Sequence, residues 1–513
     1  MLQTGRVRRW LFLCSSLLYA VAHGAANPAA ESDKGSLLER GHYLARAADC
    51  FSCHSDPGGK PFAGGSPLAT PFGTIYGPNI TPDRKTGIGD WTRADFVRAV
   101  REGVRKDGAP LYPAMPYVNY TKITDADMDA LWAYVRSVPA VAHTVPGNTF
   151  SFPFNVRRGL AVWQGLYFES GRFTPATDKD PVWNRGAYLV EALGHCDACH
   201  TPRNLAQATE SQHYLTGAQI QGWYAPDIGN DPLSKIADWR TDELAAFFKT
   251  GRMPGNTKSF GPMQEVIHDS LRYLKISDLQ AIAVYLKAQP PVTAHAATRV
   301  VMPADRMAAG QAAYREHCAS CHQNDGKGKP GTVPALAGNS AVTSREPYDV
   351  IMAMLYGFQP QGSWAAMGSF ASALTDDQIS DVANYVRTAW GNGGLPNATP
   401  WMVGNWREKE RVAPAEAHPA LACPILPKDL MEPALGAGSD ALKRAAADRA
   451  TLDRLVGNYT AARPKASSAE VIEAMSSAYC RAISAAGMPQ ARMDASIAEF
   501  SQHVAISLSR GSS

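Results

Sequence analysis

One pentapeptide, Cys-x-x-Cys-His, occurs three times in this chain of 513 residues: Cys50-Phe51-Ser52-Cys53-His54, Cys196-Asp197-Ala198-Cys199-His200 and Cys318-Ala319-Ser320-Cys321-His322. The spacing is the attachment signature of a c-type haem. Two thiols held two residues apart reach the two vinyl groups of one porphyrin, and the imidazole that follows lands under the iron as its proximal ligand. A Cys-x-x-Cys pair can also belong to a zinc site or a thioredoxin-like couple. Zinc needs a matching second pair and the redox couple a βαβ setting, and neither context is present. The expectation is therefore three haem c, with Cys50, Cys53, Cys196, Cys199, Cys318 and Cys321 as thioether positions and His54, His200 and His322 as proximal iron ligands. Three such groups suggest three cores, which a chain with 45% hydrophobic residues can supply.

The first residues read as an export signal. Arg6, Arg8 and Arg9 make a positive start, residues 10–22 an apolar stretch, and Ala22, Gly24 and Ala25 a cleavage region, so 1–26 is expected to be removed. An uncleaved anchor is the alternative, but the stretch is shorter than the ~20 residues a span needs. Cys14 would leave with the signal. Six of the remaining cysteines are taken by the haem motifs, leaving Cys423 and Cys480, for which an oxidising compartment favours a disulfide over two free thiols. On the chain-entropy estimate such a loop contributes about 4 kcal/mol. No later segment is apolar for long enough to cross a membrane, so the expected location is the periplasm, peripheral on the inner membrane. The net charge of +3 vanishes with the three leading arginines, and no basic stripe supports nucleic-acid binding.

Self-similarity supports three helical units. Arg40-Gly41-His42-Tyr43-Leu44 precedes the first motif and Arg185-Gly186-Ala187-Tyr188-Leu189 the second, with Gly310 and Tyr314 as a looser third version. Each opens a helix running into its motif. A second helix stops at glycine in each unit, over 95–103, 243–251 and 349–357. A third starts at Thr124-Asp125, Ser277-Asp278 and Thr375-Asp376, where the hydroxyl caps and the acid suits the dipole. The expected units span 36–145, 180–292 and 303–396. Residues 397–513 form an extension with amphipathic helices at 441–459, 469–486 and 493–508, readable either as a docking module or as a small stabilising cap.

The sixth ligand separates electron transfer from catalysis. Met115 lies 12 residues after Gly103 and Met263 lies 12 after Gly251, while Met367 lies 10 after Gly357. This register selects Met115, Met263 and Met367 as distal iron ligands. Met253 comes too early, and Met352 and Met354 fall inside a helix, where methionine is a core filler. The carbonyls around Pro78, Pro226 and Pro334 are candidates to accept the second nitrogen of each haem histidine, unless those prolines only shape loops. Gly326, Gly328 and Gly331 match a dinucleotide fingerprint but follow a haem motif instead of a strand, so a haem-edge loop is expected. His42, His195, His213, His268 and His317 have nothing to recruit them as ligands. No Ser/His/Asp order, paired acids or metalloprotease motif is evident, so catalysis is expected in another chain.

Pro71-Phe72-Gly73-Thr74, Asn79-Ile80-Thr81-Pro82-Asp83, Thr86-Gly87-Ile88-Gly89, Gly261-Pro262-Met263 and Ala389-Trp390-Gly391-Asn392, taken with the three motifs, resemble the triheme cytochrome c subunits of bacterial periplasmic dehydrogenases over about residues 36–395. The resemblance implies an all-α fold of three tandem class I cytochrome c domains plus a C-terminal helical extension. It implies a catalytic partner subunit of flavin, quinone-cofactor or molybdenum type acting on alcohols, sugars, sugar acids or aldehydes, with ubiquinone or an oxidase as acceptor. A free-standing shuttle and a multihaem peroxidase are the alternative readings.

Overall fold

The structure, a computed structural model, describes residues 28–412 and 428–508 apart from 71, 153, 205, 230–235, 254–255, 291–301, 437, 467, 485–495, 498–499, 501–502 and 505–506. The expected export signal and Cys423 lie outside the described residues. The chain is mostly helical, with three short two-stranded antiparallel hairpins among the described residues.

Three helix sets repeat along it. The first holds α1 (Pro28–Ala47), α2 (Cys50–His54), the hairpin of β1 (Pro67–Thr70) and β2 (Gly73–Tyr76), α3 (Arg93–Glu102), α4 (Tyr117–Tyr120) and α5 (Asp125–Ser137). A connecting helix, α6 (Leu160–Tyr167), leads to the second set: α7 (Pro181–Tyr188), a π-helical turn at Leu189–Leu193, and α8 (Asp197–His200). The hairpin β3 (Ala218–Ile220) and β4 (Trp223–Ala225) follows, then α9 (Thr241–Thr250), β5 (Arg252–Met253), β6 (Thr257–Lys258), α10 (Pro262–Asp269) and α11 (Ile276–Lys287). The third set is α12 (Ala304–His317), α13 (Ala319–His322), α14 (Ser340–Thr343), α15 (Tyr348–Tyr356) and α16 (Asp376–Thr388). Beyond it come α17 (Pro400–Val412), α18 (Lys428–Leu435), α19 (Ser439–Ala445), α20 (Arg449–Ala462) and α21 (Ser468–Ser484).

In each set the first helix crosses the last: α1 on α5, α7 on α11, α12 on α16. The glycine of the repeated motif is the crossing point. A Cβ on Gly41 would stand 2.1 Å from Ala130 O, on Gly186 2.0 Å from Ala281 O, and on Gly310 2.2 Å from Asp381 O. Only a bare Cα lets the two backbones come so close, which explains why the same glycine recurs.

Helix ends follow local chemistry in most places. Thr124 accepts from Asp127 N, and Thr375 with Gln378 makes a capping box. Gly103, Gly251 and Gly357 end their helices at positive φ. The expected cap at Ser277 is corrected. α11 begins at Ile276, with Lys275 as N-cap and no side-chain cap, because an ammonium side chain has no acceptor to offer; the Lys275 N–H donates to Tyr43 Oη at 3.1 Å. The expected single helix over 441–459 is also corrected: it breaks between α19 and α20, where Asp448 accepts from Ala450 N and Thr451 N.

Three apolar clusters form, but not one per motif as expected. The first and second sets share one continuous cluster, including Leu44, Met128, Leu131, Leu193, Leu244 and Leu279. The third set has its own, around Tyr314, Ile351, Ile379 and Val403. The remaining cluster, around Leu452, Tyr459, Met475 and Phe500, belongs to the C-terminal helices, and Cys321 and Ala365 pack against it. Two reciprocal bonds join the first pair of sets: Tyr43 Oη donates to Asp278 Oδ2, and Tyr188 Oη donates to Asp127 Oδ2. Each acid also takes an arginine from its own set, Arg185 on Asp278 and Arg40 on Asp127.

Candidate haem-binding sites

Each Cys-x-x-Cys-His motif folds as a short helix with its histidine at the C-terminal end, in α2, α8 and α13. His54 and His200 are buried. Their Nδ1 atoms meet the candidate proline carbonyls: His54 with Pro78 O at 2.8 Å, His200 with Pro226 O at 2.7 Å, and His322 with Pro334 O at 3.0 Å. A carbonyl has only lone pairs to offer, so Nδ1 carries the proton and Nε2 is left bare. Burial lowers the pKa of all three imidazoles, and the proline carbonyl offsets this in part. A neutral ring with a fixed free Nε2 is the form that ligates a metal.

The backbone behind each ring repeats as well. Gly64 N donates to His54 O at 2.8 Å, Gly217 N to His200 O at 2.8 Å and Gly328 N to His322 O at 3.0 Å. All three glycines have positive φ. A Cβ on Gly64 would meet Asn79 N at 2.5 Å, and one on Gly328 would meet Val333 O at 2.3 Å, so a side chain would push the proline strand off the ring. Sequence reasoning missed Gly64 and Gly217 because they fall 10 and 17 residues after their histidines, against 6 for Gly328. The G-x-G-x-x-G run at Gly326 to Gly331 belongs to this loop, since Gly328 works on His322.

The methionines fall on the cluster that each motif borders. Cys50, Cys196, Met115 and Met263 are partly buried against the shared cluster, and Cys318 and Met367 against that of the third set. Met115 follows a turn in which Leu111 N donates to Gly103 O at 2.6 Å. Met263 is the second residue of α10 after Pro262. Met367 is paired through its backbone to Phe358. Among the competitors, Met352 and Met354 are 3% and 4% exposed within α15, the packing role expected of them. Met253 stands in β5.

The other histidines are engaged elsewhere. His213 pairs with Glu210 and His268 with Asp269, while His42 stacks near Tyr134 and His317 near Phe370. His195 packs on Tyr120, and burial lowers its pKa to about 4. Among the described residues, no three His, Cys, Asp or Glu side chains gather in the manner of a zinc site. The donor set suits a covalently attached haem: paired thiols one helical turn before a neutral imidazole with Nε2 free, and a thioether bordering the same core.

Comparison with known proteins agrees. The cytochrome c family matches residues 38–139 and 307–390. The gluconate 2-dehydrogenase cytochrome c subunit of Pantoea cypripedii is 40% identical over 410 residues, 75% of this chain and 91% of that protein. The cytochrome c subunit of the quinone alcohol dehydrogenase of Gluconacetobacter polyoxogenes is 39% identical over 417 residues, 77% of this chain and 89% of that protein. The fructose dehydrogenase cytochrome subunit of Gluconobacter japonicus is 39% identical over 387 residues, 69% and 79% of the two chains. The chain belongs to the cytochrome c family, with the cytochrome c subunits of gluconate, alcohol and fructose dehydrogenases as its relatives.

Proposed function

We propose that this chain is the electron-transfer subunit of a dehydrogenase complex, carrying three haem c in three tandem cytochrome c domains. The observation that carries the reading is the imidazole cradle built three times over: Pro78, Pro226 and Pro334 carbonyls fixing His54, His200 and His322. Haem c held by histidine and methionine supplies a one-electron iron couple of raised potential with no open position for substrate. The residues of this chain hold and orient it. Cys50 and Cys53, Cys196 and Cys199, and Cys318 and Cys321 anchor the three groups, with Met115, Met263 and Met367 as distal ligands. The proline carbonyls hold Nδ1 protonated and leave Nε2 free, so that His54, His200 and His322 would bind the iron through it.

The relatives' names support a dehydrogenase partner oxidising an alcohol, sugar or sugar acid, and the family resemblance read from the sequence gives that partner a flavin, quinone cofactor or molybdenum centre. Ubiquinone or an oxidase would then take the electrons. The export signal read from the sequence supports the periplasm. No helix among the described residues is long and apolar enough to cross a membrane, in keeping with peripheral attachment through the complex. Cys480 is 2% exposed in the C-terminal cluster, a setting that suits the disulfide to Cys423.

Haem stoichiometry of the purified holo-protein, together with oxidised and reduced spectra, tests this reading. Three low-spin haems per chain and co-purification of a dehydrogenase subunit are expected. A stoichiometry below three, or a high-spin haem that binds peroxide, overturns it, and a chain that always leaves the membrane alone would be a free-standing shuttle.

A further inference from the structure

Each methionine-bearing segment in the first two sets is gripped by residues of the other set. α10 opens with Pro262-Met263 and closes at Asp269. Arg46, in the last turn of α1, donates Nη1 to Asp269 O at 2.9 Å and lies over the rings of Phe51 and Tyr273 at 3.4 and 4.0 Å. A guanidinium there satisfies a carbonyl left over at the helix end and opposes the negative end of its dipole. α10 also packs on α2, the attachment helix of the first set.

The reverse grip is on the segment after Met115. Tyr117 N donates to Met115 O at 2.8 Å, so the methionine runs straight into α4. Asn119 Nδ2, on α4, donates to Asp197 Oδ1 at 2.6 Å and to Glu191 O at 3.1 Å. Lys122 Nζ pairs with Glu191 at 2.9 Å. Asp197 lies inside the second attachment motif and Glu191 in the π turn before it. Met367, in contrast, bonds within its own set, to Phe358 on both sides of the bridge, and Ser369 Oγ donates to Leu355 O.

We propose that the first two haem sites are cross-braced, Arg46 being a positioning residue for Met263 and Asp197 a positioning residue for Met115. The proposal rests on reading these methionines as iron ligands. An ordinary local role makes the opposite forecast, because Arg46 stands four residues before Cys50 and Asp197 directly follows Cys196. Each would then disturb its own haem.

The test is potentiometric titration of the full-length holo-protein, with the three haems assigned by Met115→His, Met263→His and Met367→His, each of which should lower one potential. Arg46→Gln is expected to shift the haem assigned by Met263→His and to spare that assigned by Met115→His, with Arg46→Lys restoring the native value. Asp197→Ala should shift the haem assigned by Met115→His. Because Asp197 sits within a motif and its loss could impair attachment, Glu191→Gln supplies a second route to the same haem through Lys122. The haem assigned by Met367→His stays unmoved throughout. Shifts confined to each residue's own haem, or none, overturn the bracing while the markers still respond. If a marker variant moves no potential, the ligand reading fails and the bracing fails with it.

Discussion

Tyr43 Oη donates a hydrogen bond to Asp278 at 2.6 Å across 235 positions of sequence, and Tyr188 makes the matching bond to Asp127 at the same distance. The two tyrosines come from equivalent places in the repeated Arg-Gly-x-Tyr motif, and the two acids from equivalent places in the closing helices. Each tyrosine also receives the N–H of the residue that caps the other set's helix, Lys275 for Tyr43 and Thr124 for Tyr188. The first two sets are thus related by an approximate two-fold exchange of contacts. Tyr314 stands outside this exchange, donating to Gln323 O in its own set.

Tyr43→Phe and Tyr188→Phe should each destabilise the first two sets by about 1–2 kcal/mol, the usual effect of removing one partner from a charge-assisted hydrogen bond. Because the sets share one core, thermal unfolding should show them melting together and at lower temperature in either variant. A melting curve indistinguishable from wild type for both would refute the interlock.

The helix crossings are less forgiving. Gly41→Ala, Gly186→Ala and Gly310→Ala place a methyl about 2 Å from a backbone oxygen. The crossing must open, at roughly 3 kcal/mol or more, since well-packed helices do not absorb an extra carbon. Yield of haem-loaded protein and its melting temperature are the readouts. Ready acceptance of alanine at all three positions would show that the close approach is not needed.

Met115→Ala, Met263→Ala and Met367→Ala are each expected to convert one haem to a high-spin or ligand-swapped form, visible in the oxidised spectrum. An unchanged spectrum in any of them removes that methionine from the ligand set. The other two haems should keep their low-spin bands.

Asp349 accepts Tyr224 N at 2.9 Å between the second and third sets, and burial, outweighing that bond and the pull of Arg387, raises its pKa from 3.8 to about 7. The folded protein therefore holds a proton that the unfolded chain releases. Stability contributed at low pH is lost as pH rises from about 4 through 7, and the loss is complete above that. Asp349→Asn keeps an oxygen for Tyr224 and cannot ionise. It should gain about 2–4 kcal/mol over wild type at pH 8, with the gap closing near pH 4. Melting temperatures of both proteins across that range decide it, and a gap independent of pH would contradict it.

What could be read from sequence were the features whose partners are close along the chain. The attachment motifs, the caps at Thr124 and Thr375 and the glycine stops at Gly103 and Gly251 are each set by four or five consecutive residues. The proline carbonyls were within reach because Tyr76-Gly77-Pro78-Asn79-Ile80 and Tyr224-Ala225-Pro226-Asp227-Ile228 resemble each other. The start of α11 escaped because its N-cap, Lys275, carries no capping oxygen, whereas Ser277 two residues on does. The shared core escaped because its partners are far apart in sequence: apolar spacing shows that a helix has a buried face but not which helix covers it. Gly64 and Gly217 were hidden by loops of unequal length, although they perform one task.

The packing of the C-terminal cluster on Cys321 and Ala365 gives the third motif a neighbour outside its own helix set. Cys321 is only partly buried, so the cluster borders the sulfur without enclosing it. Among the motif cysteines that cluster touches Cys321, so loosening it at Met475 or Phe500 would reach the third motif and leave the first two alone.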